Sequence, residues 1–215
     1  MIFLVCQGAE YQALNRGLKA TSVSPSIIPL PIGVNSVHQL LQQQVISANP
    51  ALLIGLGGSL CPEYQVGDVF VYESCSYIDS ENKLDTKFCD SDLSNNLAQQ
   101  LNIPLVKGLT ANQLVNSSEL KLSLQKQSGC QVVDMETFAV MSYFPKLAVI
   151  RIISDRLDDH IPDLNSAIDS CGKLNNWKMT IAFLQQPLSA IKLIRNSLSS
   201  LKKLEEIASK LGIGN

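Results

Sequence analysis

In the stretch "CQVVDMETFAVM", residues 130–141, a short apolar run ends in two carboxylates, Asp134 and Glu136, with Met135 between them. Gln131 to Val133 has strand character, and Met135, Phe138, Ala139 and Ser142 then take up the spacing of one helix face. Acids in the first turn of a helix are favoured by its dipole, which is one sufficient reason for them. The other reason is chemical. A carboxylate offers two acceptor oxygens, and a pair of neighbouring hydroxyls is the matching donor set. Other acids also fall just past apolar runs: Glu10 follows Ile2 to Cys6, and Asp155 follows "LAVIRIIS". Capping accounts for any one of these alone. Asp155 resists that account, because "SDRLDDHIPDLNS" does not continue as a clean helix. An acid at the end of a buried strand is desolvated, which favours its protonated form and suits it to proton donation.

These acids need a scaffold that brings strand ends together. Strand-like runs cover Ile2 to Cys6, Ile27 to Leu30, Ala51 to Ile54, Val66 to Ile78, Pro104 to Leu109, Gln131 to Val133 and Leu147 to Ile153. Helical patterns lie at Glu10 to Leu18, Asn35 to Ser47, Asp92 to Leu101, Asn116 to Gln127 and Met135 to Phe144, then Lys173 to Gln185 and Leu188 to Leu211. Asn35 is a plausible cap, and Asn116 with Glu119 has the spacing of a capping box. Alternation of this kind predicts an α/β fold with a mostly parallel sheet flanked by helices. The long polar/apolar run 66–78 adds strands that curl or pair antiparallel, so the sheet is expected to be mixed and twisted. With no linker or repeat, residues 1–215 are expected to form a single domain. In sheets of this kind ligands bind beyond the carboxyl ends of the strands, which is where the acids lie. From Leu188 to Leu211, leucines and isoleucines recur every three or four residues, a stripe expected to pack on the sheet.

The 215 residues are 46% hydrophobic, enough for a full core, and the net charge of −2 argues against a nucleic-acid partner. No apolar run is long enough to span a bilayer, so no membrane partner and a cytoplasmic location are expected. Six cysteines without a CxxC pair, mostly beside apolar runs, are expected to be buried free thiols. With only two histidines, no metal site is expected.

"VVDMETFAV" followed by "VIRIISD" resembles the paired signature of the nucleoside phosphorylase and nucleosidase superfamily, in which a [DE]-M-E motif opens a helix and the next strand ends in S-D. "LLIGLGGSLCPEYQVGDVFV" and "VKGLTANQLVNSSELK" are similar to two further blocks, and the four occur in the right order over about residues 1 to 185. The smaller members, methylthioadenosine/S-adenosylhomocysteine nucleosidases and nucleosidase-like proteins of hopanoid gene clusters, are the most similar. The resemblance implies cleavage of the N-ribosidic bond of a purine nucleoside without a cofactor. Met135 would pack against the ribose and Glu136 would accept its 2′ and 3′ hydroxyls. Asp155 would be the general acid at N7, with Ser154 orienting it, and Glu10 would position and deprotonate the attacking water. Asp134 stands where many relatives carry Glu and is a helix cap or part of the diol site. Gly55 and Gly57 of "GLGGS" would offer backbone N–H groups, and Leu114 with Val115 would cover the base. Members of this kind usually form homodimers, which implies one here.

Three departures bear on the reaction. Phosphorolytic relatives have an Arg before the glycine turn and a Ser or Thr within it, where this chain has Leu53 and Leu56, leaving only Ser59 to offer a hydroxyl. Apolar walls suit water better than a phosphate dianion, so hydrolysis is favoured over phosphorolysis. Leu114 replaces a stacking phenylalanine, and Tyr77, Phe138 or Tyr143 would have to supply any aromatic from elsewhere. His160 has a place near the substrate or in solvent. Such losses also fit a non-catalytic nucleoside binder on the same scaffold. A dinucleotide-binding reading of "GLGGSL" fails, because the third glycine is missing and Pro62 interrupts the helix that should follow.

Overall fold

The computed structural model describes residues 1–19, 26–44, 50–79, 81–169 and 171–211. The elements run β1 (Ile2–Cys6), α1 (Ala9–Lys19), β2 (Ser26–Leu30), α2 (Val34–Leu41), β3 (Ala51–Ser59), β4 (Val69–Ile78) and β5 (Leu84–Phe88). They continue with α3 (Ser91–Leu101), β6 (Leu105–Thr110), α4 (Ser118–Ser128), β7 (Val132–Asp134), α5 (Thr137–Val140) and β8 (Leu147–Asp155). A short turn of 3₁₀ helix at Asn165–Ala167 leads to α6 (Asn176–Gln185) and α7 (Pro187–Leu211).

The sheet is mixed, as the alternating pattern predicts, and it closes on itself. Strands β3, β7, β6, β4 and β8 pair in turn and β8 returns to β3, while β1 and β2 extend from β3 and β5 lies outside β4. The closure depends on β8. It runs parallel to β3 from Leu147 to Asp155 and antiparallel to β4 at Ile150 to Ile152, so all nine of its residues are buried. Continuous burial explains why its sequence is apolar on both faces rather than alternating, apart from Arg151 and the terminal Ser154 and Asp155.

Apolar layers cover both faces. On one side Val37 and Leu41 of α2 meet Leu4, Leu53, Val149 and Phe138; on the other Leu14 and Leu18 of α1 meet Ile54, Ile150, Leu204 and Ile207. Five cysteines are buried and free and Cys171 is exposed.

Several boundaries differ from the sequence pattern, each for a local reason. Strand β4 starts at Val69, because 66–68 lie in a turn where Asp68 accepts the N–H of Gln65 at 2.8 Å and Gly67 has φ +92°. Its antiparallel partner β5 escapes the pattern, being an exposed edge strand with no apolar alternation. Helix α2 is capped by Gly33 rather than Asn35 and ends at Leu41, while 45–49 lie outside the described residues. Helix α4 is capped by Ser117, whose hydroxyl accepts the N–H of Leu120 at 3.3 Å, so the Asn116–Glu119 box does not form. Helix α5 is four residues long instead of ten: Asp134 takes the first N–H groups and Pro145 stops the chain soon after. The C-terminal stripe packs only in its second half. Leu204, Ile207 and Leu211 are buried, whereas Leu188, Ile191, Ile194 and Leu198 are exposed.

Candidate active site

Arg151 sits in the middle of β8, fully buried, and organises the acids around it. Its Nε lies 3.2 Å from Asp134 Oδ2 and its Nη2 lies 3.5 Å from Glu136 Oε2 and 3.0 Å from Thr137 Oγ1. Nη1 donates to the carbonyl of Leu56 at 3.4 Å. A buried guanidinium needs its donors occupied, and the two carboxylates of the β7–α5 junction share this with the Thr137 hydroxyl and the Leu56 carbonyl.

Asp134 has a full set of partners. Its Oδ1 accepts the N–H groups of Glu136 (3.1 Å) and Thr137 (3.0 Å) and the hydroxyl of Thr110 (2.9 Å); Oδ2 accepts the Thr137 hydroxyl at 2.5 Å. Burial raises its pKa, but Arg151 and these donors outweigh burial and hold it below the usual carboxylate range. Asp134 thus caps the junction and anchors Arg151. Glu136 is less satisfied. Gly33 donates to Oε1 at 3.3 Å and Met135 to Oε2 at 3.4 Å, both long bonds. Its pKa is pushed up by burial, countered by Arg151, and raised further by Asp134.

Glu10, in the first turn of α1, reaches across to β3, where the N–H of Leu56 donates to its Oε2 at 2.9 Å. Burial raises its pKa to about 7 against the partial offset of Arg151. Gly55 makes this approach possible, since a Cβ there would stand 2.4 Å from Glu10 Oε2 and 2.6 Å from Arg151 Nη1.

At the end of β8 the Ser154 hydroxyl lies 2.9 Å from Asp155 Oδ1. Asp155 Oδ2 is bonded by Lys121 Nζ, which also reaches the carbonyl of Arg156. Lys121, on α4, is fully buried. Gly58 leaves the room Asp155 needs, a Cβ there falling 2.8 Å from its Oδ2.

These groups converge on one cavity of about 500 Å³. Of the ten residues singled out from the sequence, Asp155, Glu10, Ser154, Glu136, Met135, Asp134, Leu114, Val115 and Gly57 line it, and Gly55 stands behind Glu10. Apart from Gln113 and Ser197 the rest of the wall is apolar, with Leu164, Ile168, Met179, Phe183 and Leu193 among its residues and no Lys or Arg among the described ones. Leu114 is held by Asn165, whose Oδ1 accepts its N–H at 2.7 Å. Leu56 lines the cavity and Leu53 is in the core. Ser59 is committed to its own turn through Cys61, at 2.7 Å to the carbonyl, and is no part of the wall. The candidate aromatics also lie off this cavity: Tyr77 stacks on Phe138 at 5.3 Å, and Tyr143 Oη meets His38 Nδ1 at 2.9 Å. His160 is exposed.

The sequence reasoning missed two residues. Arg151 had a visible signal, a lone cation inside the most apolar run, since such a residue is almost never buried unless paired. Lys121 had none, because on a helix rich in polar residues it is indistinguishable from a solvated lysine.

The Phosphorylase superfamily matches the chain over residues 2–176, and the chain belongs to it. A comparison with curated proteins finds no match. Among solved structures, a Helicobacter pylori MTAN mutant with 5′-methylthioadenosine in its active site is 17% identical, with a TM-score of 0.63 and 96% of each chain covered. The 5′-methylthioadenosine/S-adenosylhomocysteine nucleosidase of Neisseria meningitidis with methylthio-immucillin-A is 14% identical, with a TM-score of 0.66 and 97% of each chain covered. The futalosine hydrolase of Helicobacter pylori is 15% identical, with a TM-score of 0.60, covering 92% of this chain and 96% of that one. At these identities the likeness is one of fold.

Proposed function

We propose that this chain hydrolyses the N-ribosidic bond of a purine nucleoside with an uncharged 5′ group, methylthioadenosine or a related compound. The observation that carries the reading is the convergence of Glu10, Glu136 and Asp155, from three separate strand ends, on one cavity. Glu136 accepts the ribose diol, exchanging its long bonds for two better donors, and Met135 packs on the sugar. Water attacks C1′ and gives a proton to Glu10. The C1′–N9 bond breaks with its electron pair leaving on the base, and N7 takes a proton from Asp155. Over the full cycle Glu10 passes its proton to water and Asp155 takes one up from water, while Lys121 and Ser154 fix the Asp155 carboxyl. The mostly apolar wall supports an uncharged 5′ substituent, and the lack of a Lys or Arg along it among the described residues supports water over phosphate as nucleophile. In keeping with the family resemblance, we take the protein to act as a cytoplasmic homodimer, which light scattering of the purified chain would check.

A second reading has one observation in its favour. Lys121 occupies the oxygen of Asp155 that a general acid would use, which suits a nucleoside binder without turnover. Base release from methylthioadenosine, S-adenosylhomocysteine, adenosine, inosine and guanosine, with and without phosphate, separates the two. The expected result is phosphate-independent release that falls about 10²- to 10⁴-fold in Asp155→Asn while nucleoside binding persists. Binding with no release from any of them would establish the binder.

A further inference from the structure

Helix α6 breaks the pattern of a surface helix. Met179 and Phe183 on its inner side line the cavity, yet Trp177, Ile181 and Leu184, spaced i, i+4, i+7, form a second apolar face that is exposed. No residue of this helix is buried. The first half of α7 continues the surface with Leu188, Ile191 and Leu198. Of the 13 exposed large hydrophobic residues among the described ones, eight fall between Leu174 and Leu198. Soluble surfaces rarely gather apolar residues this densely, and a helix apolar on both sides is normally covered.

Charge indicates what covers it. From Cys171 to Leu204 there are six Lys or Arg and no Asp or Glu, whereas the rest of the chain has 11 basic and 19 acidic residues. Lys192 reaches Asp159 and Lys203 reaches Glu206, while Lys173, Lys178, Arg195 and Lys202 are exposed. Arg195 and Lys202 follow Leu188 at successive seven-residue steps, so they stand on the same side of α7 as the apolar stripe. A second copy seated on this same face would put two sets of these cations, and no Asp or Glu from this segment, into one interface. Apolar area ringed by Lys and Arg, with a tryptophan in it, matches an interfacial helix on acidic headgroups.

We propose that the α6–α7 face docks on the surface of an anionic lipid bilayer, lying in the interface and not crossing it. The expectation of no membrane partner rested on the lack of a spanning segment, and no helix of the described residues is long and apolar enough to span. A face lying on the bilayer needs no such segment. Ile194 and Leu198 are both exposed and part of the cavity wall, so the cavity opens on this same face. A substrate whose 5′ group partitions into lipid would reach the site from there, a consequence that rests on the nucleosidase reading.

Trp177 is the sole tryptophan and sits on the outer face of α6, so it reports docking directly. Its emission is recorded with vesicles of phosphatidylcholine alone and of phosphatidylcholine with phosphatidylglycerol, alongside co-sedimentation. A blue shift and co-sedimentation with the mixed vesicles only, weakened by salt, is expected. The double variant Arg195→Glu/Lys202→Glu should lower partitioning at least about tenfold while leaving turnover of a soluble nucleoside unchanged. No response to either vesicle, or equal binding to both, overturns the proposal. So does a blue-shifted Trp177 in a vesicle-free dimer, which would assign the face to a second copy. The emission and co-sedimentation readouts require no turnover, so a failed nucleosidase assay leaves the docking result standing.

Discussion

At the ends of β7 and β8 the chain buries charge and partners it; along α6 and the first half of α7 it exposes apolar surface and leaves it uncovered. Both regions depart from the usual sorting of side chains, in opposite directions. In the first, Arg151, Asp134 and Glu136 give up hydration for one another, and Lys121 does the same for Asp155. In the second, Trp177, Leu184 and Leu188 remain in water that folding could have removed. Local rules are broken where a site needs it, and the rest of the fold supplies the stability that allows it. The closed β3–β7–β6–β4–β8 circuit is that supply, and α6 contributes little to it.

If the buried charges act as one unit, removing the central cation should have the largest effect on stability. Arg151→Met leaves Asp134 and Glu136 buried without their shared partner and is expected to cost about 3–5 kcal/mol, measured by urea unfolding. A loss below about 1 kcal/mol would mean that the cluster is hydrated and the comparison false.

A smaller effect with a definite sign is expected at Glu10. Its carboxyl is raised to about 7 in the fold from an ordinary value of 4.5. The folded state therefore holds this proton more tightly than the unfolded chain. Its contribution to stability is present below about pH 4.5 and is lost as pH rises through about 7. Glu10→Gln stays neutral throughout, so at pH 8 it should be more stable than the native chain by about 1–3 kcal/mol, and at pH 4 nearly equal to it. Base release by the native chain should rise across the same range as Glu10 ionises to accept a proton, and the Glu10→Gln variant should lose it. Equal stability gains at both pH values would show that burial of the charge is not the cause.

The sequence makes the first region far more legible than the second. Strand ends can be located from apolar runs, and acids just past them are visible, so Glu10, Asp134, Glu136 and Asp155 could be named together. The closing of the sheet could not, because the antiparallel contact of β8 with β4 and the edge strand β5 depend on register between distant segments rather than on composition. Arg151 was legible in principle. Lys121 was not, since only the packing of α4 against the end of β8 turns a surface-like lysine into a buried one. The stripe from Leu188 to Leu211 was found by its periodicity, but periodicity says that a face is apolar and not what it meets. Its two halves have different neighbours, the second packing against α1 and the sheet and the first lying past their edge.

The smallest predicted effect therefore sharpens the comparison most. On α7, Leu188 is 83% exposed and Ile207 is 3% exposed, although both belong to one stripe. Truncating Ile207 would empty a packed site, a change that typically costs about 2–5 kcal/mol. Leu188→Ser removes an apolar side chain that gains nothing from the fold, so unfolding in urea should shift by less than about 0.5 kcal/mol. A loss near that of a core truncation would mean that Leu188 is already covered in the purified protein, and hence that the exposed half of α7 belongs to an assembly of copies. Near-neutrality, combined with weaker binding to acidic vesicles, would show that this half of the helix is kept apolar for a surface outside the molecule.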